Sequence, residues 1–293
     1  MLLFNLDEKI CVNRNDYIVF TDTVKDIFYI FIMKFSIITV TYNCKEKIGI
    51  TLDSVVRQKT DENTDFEYII MDGMSTDGTA DTARSLSLDL PEDISRRIYI
   101  YSEKDTGIYD AMNKAVKKAT GDYILFLGAG DYLYTDDVLK KTVLHAGRRC
   151  NAGRRCNAGR RCNADIIYGY VYTTINGKLK DEIRKFDIKY SLRILPIYHQ
   201  AVFAARHLFN EKQFDLKYPV VADQDWMMYM YKHHKRIRYI NLPVSYYEEN
   251  GFSSDNPERV KAASADLESI HQKYFGIRRT IYRKLRYLIL RRS

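Results

Sequence analysis

Only five of the 293 residues are cysteine, and three of them belong to a tandem repeat, which leaves Cys11 and Cys44. Two separated thiols make neither a disulfide framework nor a zinc spacing, so a reducing cytoplasm is the expected setting. Long apolar runs are also missing. Ile27 to Met33 is apolar, but Asp22, Lys25 and Asp26 precede it and Lys34 stops it far short of the ~20 residues that a membrane span needs. No small-residue cleavage site follows it. Basic charge is scarce on the body of the chain. The net charge is +8, yet six arginines lie in the repeat and seven Lys or Arg lie between Arg278 and Arg292. Without those thirteen the remainder is net acidic, which excludes a nucleic-acid-binding surface by composition. What is present is an ordinary globular makeup: 46% hydrophobic residues, 24 tyrosines, and enough length for one large or two moderate cores.

The chain is organised around Tyr123 to Asp131, YILFLGAGD. Its apolar run reads as a strand buried on both faces, ending in Gly128, Ala129, Gly130 and a single carboxylate. Small residues at such a tip let a ligand approach the backbone. Upstream, strands and helices alternate. Phe35–Val40 is a strand, and Lys45–Gln58 a helix with Ile48, Leu52, Val55 and Val56 on one face. Tyr68–Met71 is a second strand, followed by a helix capped by Ser75, Thr76 or Asp77. Ile98–Tyr101 is a third strand, and Gly107–Ala119 a helix. Four such alternations predict a mostly parallel sheet with helices on both faces and a ligand beyond the carboxyl ends of the strands. Those ends carry Thr41, Tyr42 and Asn43, then Asp72, then Glu103 and Asp105, then Asp131. Acids at neighbouring tips repel one another unless they bind a ligand, meet a cation or point apart. Asp72 suits hydrogen bonding to a base or ribose, Tyr42 suits stacking, and Asp131 suits a divalent ion that neutralises a diphosphate. Asp105, taken singly, reads as a helix cap.

SIITVTYN at 36–43, MDGMSTDGTADTA at 71–83, EKDTGIYDAMNKAVKKATGDYILFLGAGD at 103–131, HQAVF at 199–203 and ADQDW at 222–226 resemble the family-2 glycosyltransferases. These are inverting enzymes of the GT-A fold, and the likeness is to their bacterial polysaccharide-assembly branch. It covers about residues 34 to 254. The resemblance implies an α/β GT-A fold, Rossmann-like with a mostly parallel central sheet, joined to a mixed acceptor-side part. It implies a nucleotide-sugar donor, a UDP-sugar, held by Thr39, Tyr42, Asp72, Asp105, Gly107, Asn113, Ala129, Gly130 and Asp131. It also implies a divalent cation, Mn or Mg, at Asp131, and Asp223 as catalytic base. The expected acceptor is a growing, lipid-linked surface glycan at the cytoplasmic face of the inner membrane.

Two departures from the family pattern stand out. Gly128 and Gly130 occupy the positions of an Asp-x-Asp pair, so metal binding is weaker or shared with a residue such as His199. Ala222 replaces the first acid of a late Glu-Asp motif, so the assignment between Asp223 and Asp225 stays open. Those missing acids also raise the alternative of a catalytically silent nucleotide-sugar-binding partner.

The expected organisation is an extension over 1–32 ahead of a working start at Met33, a transferase domain over 33–254, and a helical, basic amphipathic tail over 255–293. Within the domain, 33–131 forms the nucleotide half and 166–254 the acceptor half. AGRRCN, repeated three times over 146–163, has no helical or strand period that buries a face and reads as an expanded surface loop. Ile166 to Lys180 reads as a hairpin turning at Asn176 and Gly177. Residues 248–254, EENGFSS, resemble a loop that closes over the diphosphate. Gly276–Ser293 has an apolar face ringed by arginines, which suits an anionic membrane surface.

Overall fold

The computed structural model describes residues 11–13, 17–20, 28–147, 164–175, 178–184, 198–234, 236–248, 256–278 and Thr280. The AGRRCN repeat beyond Gly147, the 249–255 loop, the turn at 176–177 and most of the basic tail fall outside these residues.

Strands β1 (Cys11–Asn13), β2 (Tyr17–Phe20) and β3 (Phe28–Phe31) form a small antiparallel sheet of their own. The main sheet starts at Met33, whose side chain is buried. Strand β4 (Met33–Thr41) pairs in parallel with β5 (Thr64–Asp72) on one side and β7 (Tyr123–Gly128) on the other, and β5 pairs in parallel with β6 (Ile98–Ser102). This half is the doubly wound arrangement that the alternation predicts. Its strands read as continuous apolar runs because helices cover both faces. Phe35, Phe66 and Tyr68 are among the largest fully buried side chains. Burying one such side chain stabilises the fold by about 1.5–3 kcal/mol.

The other half is mixed. Strand β11 (Val202–Ala205) runs antiparallel to both β7 and β9 (Ile166–Ile175). Strand β10 (Lys178–Arg184) pairs antiparallel with β9, as the hairpin reading expects. Strand β12 (Ile237–Glu248) lies parallel to β9, and the two-residue β8 (Tyr132–Leu133) closes the edge against β12. The sheet order is therefore β6-β5-β4-β7-β11-β9-β12-β8. Strand β12 was not expected from the sequence. Its apolar residues alternate irregularly around Pro243, and register shifts flank that proline. Gly169 of β9 allows the close approach, since a Cβ there would lie 2.3 Å from the Leu242 carbonyl oxygen.

The parallel half and the mixed half meet at β7, so Gly128 to Asp131 leave the sheet where its topology changes. In open α/β sheets a crevice forms where the topology switches, beyond the carboxyl ends of the strands. The register sets the floor of this crevice: Val40 lies beside Gly128, Thr41 beside Asp72, and Asp72 beside Ser102.

Candidate active site

Each acid at the strand tips is met by donors of its own. Asp72 is fully buried and accepts from Ser75 N at 3.0 Å, from Ser75 Oγ, and from Ser102 Oγ at 2.7 Å. The turn it anchors carries Met74 at φ +61°, an uncommon conformation for such a side chain, and Met74 is exposed. Tyr42 beside it is 61% exposed, a large ring left in solvent at a crevice edge. Gly73 lies between Tyr42 and Asp105, and a Cβ there would come within 2.4 Å of Asp105 Oδ2 and 3.5 Å of the Tyr42 ring. Tyr42, Asp72, Gly73 and Asp105 thus form one cluster at the carboxyl ends. Asp105 also accepts from Gly107 N at 2.9 Å, so the capping-type turn and the site position coexist. Gly107 has φ +138° and nothing within 4 Å of a Cβ built on it, so its face is open.

Two expected donor contacts are spent elsewhere. Thr39 is fully buried and its hydroxyl oxygen accepts from Tyr68 OH at 2.9 Å. Along the same strand Thr41, at the tip, is the hydroxyl left buried without a hydrogen-bond partner. Asn113 uses both ends of its amide on the Phe214 backbone, donating to the carbonyl and accepting from the N–H at 3.0 Å each. It fastens the helix Ile108–Lys118 to the acceptor half and presents nothing to a ligand.

Asp131 is 5% exposed and turns back into the protein. Its Oδ2 accepts from Gly128 N and from Gln200 Nε2, each at 3.0 Å, and its Oδ1 accepts from Glu248 N at 3.1 Å. Burial pushes its pKa up, and the hydrogen bonds from Glu248 and Gln200 offset only part of that. Gly128 permits the fold-back, because a Cβ there would stand 2.8 Å from Asp131 Oδ2. Of the four lone-pair positions of a carboxylate, three are taken. Among the described residues no group of three or more His, Cys, Asp or Glu side chains could hold a metal ion. Asp131 and His199 therefore do not by themselves make a cation cage among the described residues. Asp131 ties β7, the turn at Gln200 and β12 together, at about 1.5–3 kcal/mol for each hydrogen bond to a charged group.

The late acids separate cleanly. The helix Ala222–His233 begins with both, but on a helix positions two apart do not share a face. Asp225 is fully buried between Lys212 Nζ at 2.8 Å, Lys273 Nζ at 2.9 Å and Tyr274 OH at 3.0 Å. Burial alone would raise its pKa, and the bonds from the two lysines outweigh that and hold it low. Asp225 is a structural clasp between this helix and the helix Pro257–Phe275.

Asp223 faces the other way. Its Oδ1 accepts from Tyr109 OH at 2.8 Å and from Gln224 N at 2.9 Å, and His199 Nδ1 lies 3.1 Å from Oδ2. Burial and the nearby carboxylate push the Tyr109 pKa well up, so the phenol stays a donor. Tyr109 stands in the first turn of the helix that follows Asp105 and Gly107, so Asp223 is bonded directly to the parallel half. His199 and Gln200 are neighbours on one short turn, and they reach Asp223 and Asp131 respectively. Tyr109, Gln200, Ser75 and Ser102 were not among the expected site residues; the stretches 103–131, 199–203 and 71–83 contain the first three, and no motif contains Ser102.

A parallel sheet that turns mixed at β7, with acids at its carboxyl ends, is a GT-A-type fold. Solved structures share it. The S. aureus TarS 1-349 crystal structure superposes with a TM-score of 0.59 at 19% identity, covering 83% of this chain and 66% of that one. A mannosyltransferase from Pyrobaculum calidifontis, in complex with GDP-Man and Mn2+, gives 0.56 at 17% identity, covering 86% and 74%. The family described as glycosyl transferase family 2 matches residues 36–196. A PGL/p-HBAD biosynthesis glycosyltransferase of Mycobacterium bovis is 34% identical over 220 residues, 74% of this chain and 77% of that protein. The putative teichuronic acid biosynthesis glycosyltransferase TuaG of Bacillus subtilis is 35% identical over 116 residues, 39% of this chain and 43% of that one. The chain belongs to glycosyl transferase family 2, and it is a glycosyltransferase. Among the described residues no helix is long and apolar enough to cross a membrane.

Proposed function

We propose that this enzyme transfers a sugar, with inversion, from a UDP-sugar to a hydroxyl of a lipid-linked bacterial surface glycan, and that Asp223 is the base. The observation that carries this reading is the placement of Asp223. It is a buried carboxylate on the acceptor half, bonded across the crevice to Tyr109 beside the nucleotide cluster. The relatives named for glycan assembly and the TarS structure in complex with UDP-GlcNAc support a nucleotide-sugar donor and a glycan acceptor.

The chemistry follows from the geometry. The nucleotide lies against Tyr42, Asp72 and Gly73, with Thr41 Oγ1 beneath it. The acceptor oxygen attacks the anomeric carbon from the side opposite the diphosphate. As that carbon–oxygen bond forms, the bond to the diphosphate breaks, its electron pair leaves with the phosphate, and the hydroxyl proton passes to Asp223. Tyr109 and His199 fix the orientation of the carboxylate, which is how a positioned base acts without reorganisation. The manganese of the archaeal neighbour belongs to that protein. A divalent cation here would need ligands other than Asp131 and His199, and no step above depends on one. The basic tail would hold the enzyme to the anionic cytoplasmic face of the membrane, where its acceptor is anchored.

Incubation of the purified protein with nucleotide sugars tests the reading, with release of nucleoside diphosphate as the readout. UDP released from a UDP-sugar by the native chain, and lost in Asp223→Asn, is the expected result. No turnover of any nucleotide sugar, with or without lipid-linked acceptors, would end this reading.

A further inference from the structure

The turn after β7 poses a question of charge that the acids do not answer. A bound sugar nucleotide brings a diphosphate, and its leaving group gains negative charge as the bond to the sugar breaks. Asp131, the acid nearest the topological switch, faces inward onto Gly128 N, Gln200 Nε2 and Glu248 N. Asp72 is bonded to Ser75 and Ser102, and Asp105 to Gly107 N. Three carboxylates that each satisfy themselves locally do not form a cation cage.

A positive group stands at the same turn. The helix Lys45–Val56 runs alongside it, and Thr51 clamps it. Thr51 Oγ1 accepts from Gly130 N at 2.9 Å and lies 3.3 Å from the Gly128 carbonyl oxygen, to which it donates. One helical turn earlier, toward the carboxyl tip of β4, is Lys47. Its stem lies on Gly130: Cδ, Cβ and Cγ come within 3.4, 3.7 and 3.8 Å of the position a Cβ would take. Gly130 has φ +102° and no side chain, so it gives the stem a saddle that any other residue would fill. Lys47 is exposed and makes no ion pair among the described residues. A lysine with its stem packed and its head in solvent at a crevice is a snorkelling cation. Thr41 Oγ1, buried and unpartnered at the tip of β4, is a second polar group at that end of the strand.

We propose that the ammonium of Lys47, seated on Gly130, takes the charge of the donor's diphosphate in place of a divalent cation at Asp131. This rests on the nucleotide-sugar reading and adds to it how the leaving group is held. A lysine supplies a compact point charge and three donors, enough to bind a phosphate and to stabilise the departing diphosphate. The enzyme then works without added metal.

Calorimetry on the full chain, with UDP, GDP, dTDP and uridine as probes, in buffer with EDTA and in buffer with manganese, tests this. The expected result is diphosphate affinity that changes less than about threefold between the two buffers. Lys47→Met should weaken the bound diphosphate about tenfold or more in both while leaving uridine binding and Tm unchanged, and Lys47→Arg should keep most of the affinity. Diphosphate binding that needs manganese would overturn the proposal and leave the nucleotide-sugar reading standing. Equal diphosphate affinity in Lys47→Met would remove Lys47 from the site. Failure of all three diphosphates to bind in either buffer would instead bring down the nucleotide-sugar reading itself.

Discussion

The Tyr109 hydroxyl lies 2.8 Å from both Asp223 Oδ1 and the Val220 carbonyl oxygen, its single proton shared between the two, and joins residues that stand 114 positions apart in the chain. The bond fixes the carboxylate relative to the nucleotide cluster, because Tyr109 begins the helix that Asp105 and Gly107 lead into.

Asp223→Asn keeps the shape of the side chain but cannot take a proton. Turnover should fall ~10²-fold or more with donor affinity retained. Tyr109→Phe removes the orienting bond together with the contact to the Val220 carbonyl oxygen, and should cost about tenfold in kcat with little change in donor KM. Steady-state kinetics on both variants check this. Full activity in Asp223→Asn would require another base.

Asp225 predicts an acid-limb effect. Its folded pKa is held below the unfolded value, so the folded state binds fewer protons than the unfolded state as the group titrates. The stabilisation is complete above about pH 4 and is lost as pH falls through the lower, folded pKa. Asp225→Asn should destabilise the protein at neutral pH by about 3 kcal/mol and flatten the acid side of its stability curve. Thermal melts between about pH 3 and pH 7 read both. A neutral-pH Tm equal to that of the native chain would show that the clasp contributes nothing.

Gly73→Ala tests the proposed nucleotide site without replacing a carboxylate. The added Cβ meets Asp105 Oδ2 at 2.4 Å, so the Asp105 carboxylate must shift away from Gly73 and the Tyr42 ring. UDP affinity should drop about tenfold, while the far-side core, and with it most of the stability, is retained. Unchanged affinity would place the nucleotide elsewhere.

The parallel half was legible in the sequence because local signals and the buried pattern agree there. Apolar runs, the Asp77 turn and the helix at Gly107 each point to the element found, within one or two residues at its ends except for β5, which begins four residues before Tyr68. The mixed half was not. Strand β12 carries Asn241 and Pro243 where a regular strand would continue, and only its register on β9 and β8 makes it a strand. Site residues divide the same way. Which of Asp223 and Asp225 faces the crevice depends on Lys212, Lys273 and Tyr274, partners that sequence spacing does not show. Asp131 looked like a metal ligand because a carboxylate at a glycine-rich tip has two possible directions, and only Gln200 and the Glu248 backbone settle which it takes.

Deleting residues 276–293 should release the protein from vesicles containing anionic lipid while turnover of a soluble acceptor is kept, since most of the basic side chains at that end go with it. Co-sedimentation with and without anionic lipid gives the readout. Equal binding by both chains would assign the tail a role within the fold.

The clasp at Asp225 has a mechanical consequence. Lys273 and Tyr274, at the end of the helix Pro257–Phe275, grip a residue two positions from Asp223 on the helix Ala222–His233. A pull on the end of that helix therefore arrives within one helical turn of Asp223, the proposed base. The set of the helix Pro257–Phe275 is in this way felt at the start of the helix Ala222–His233.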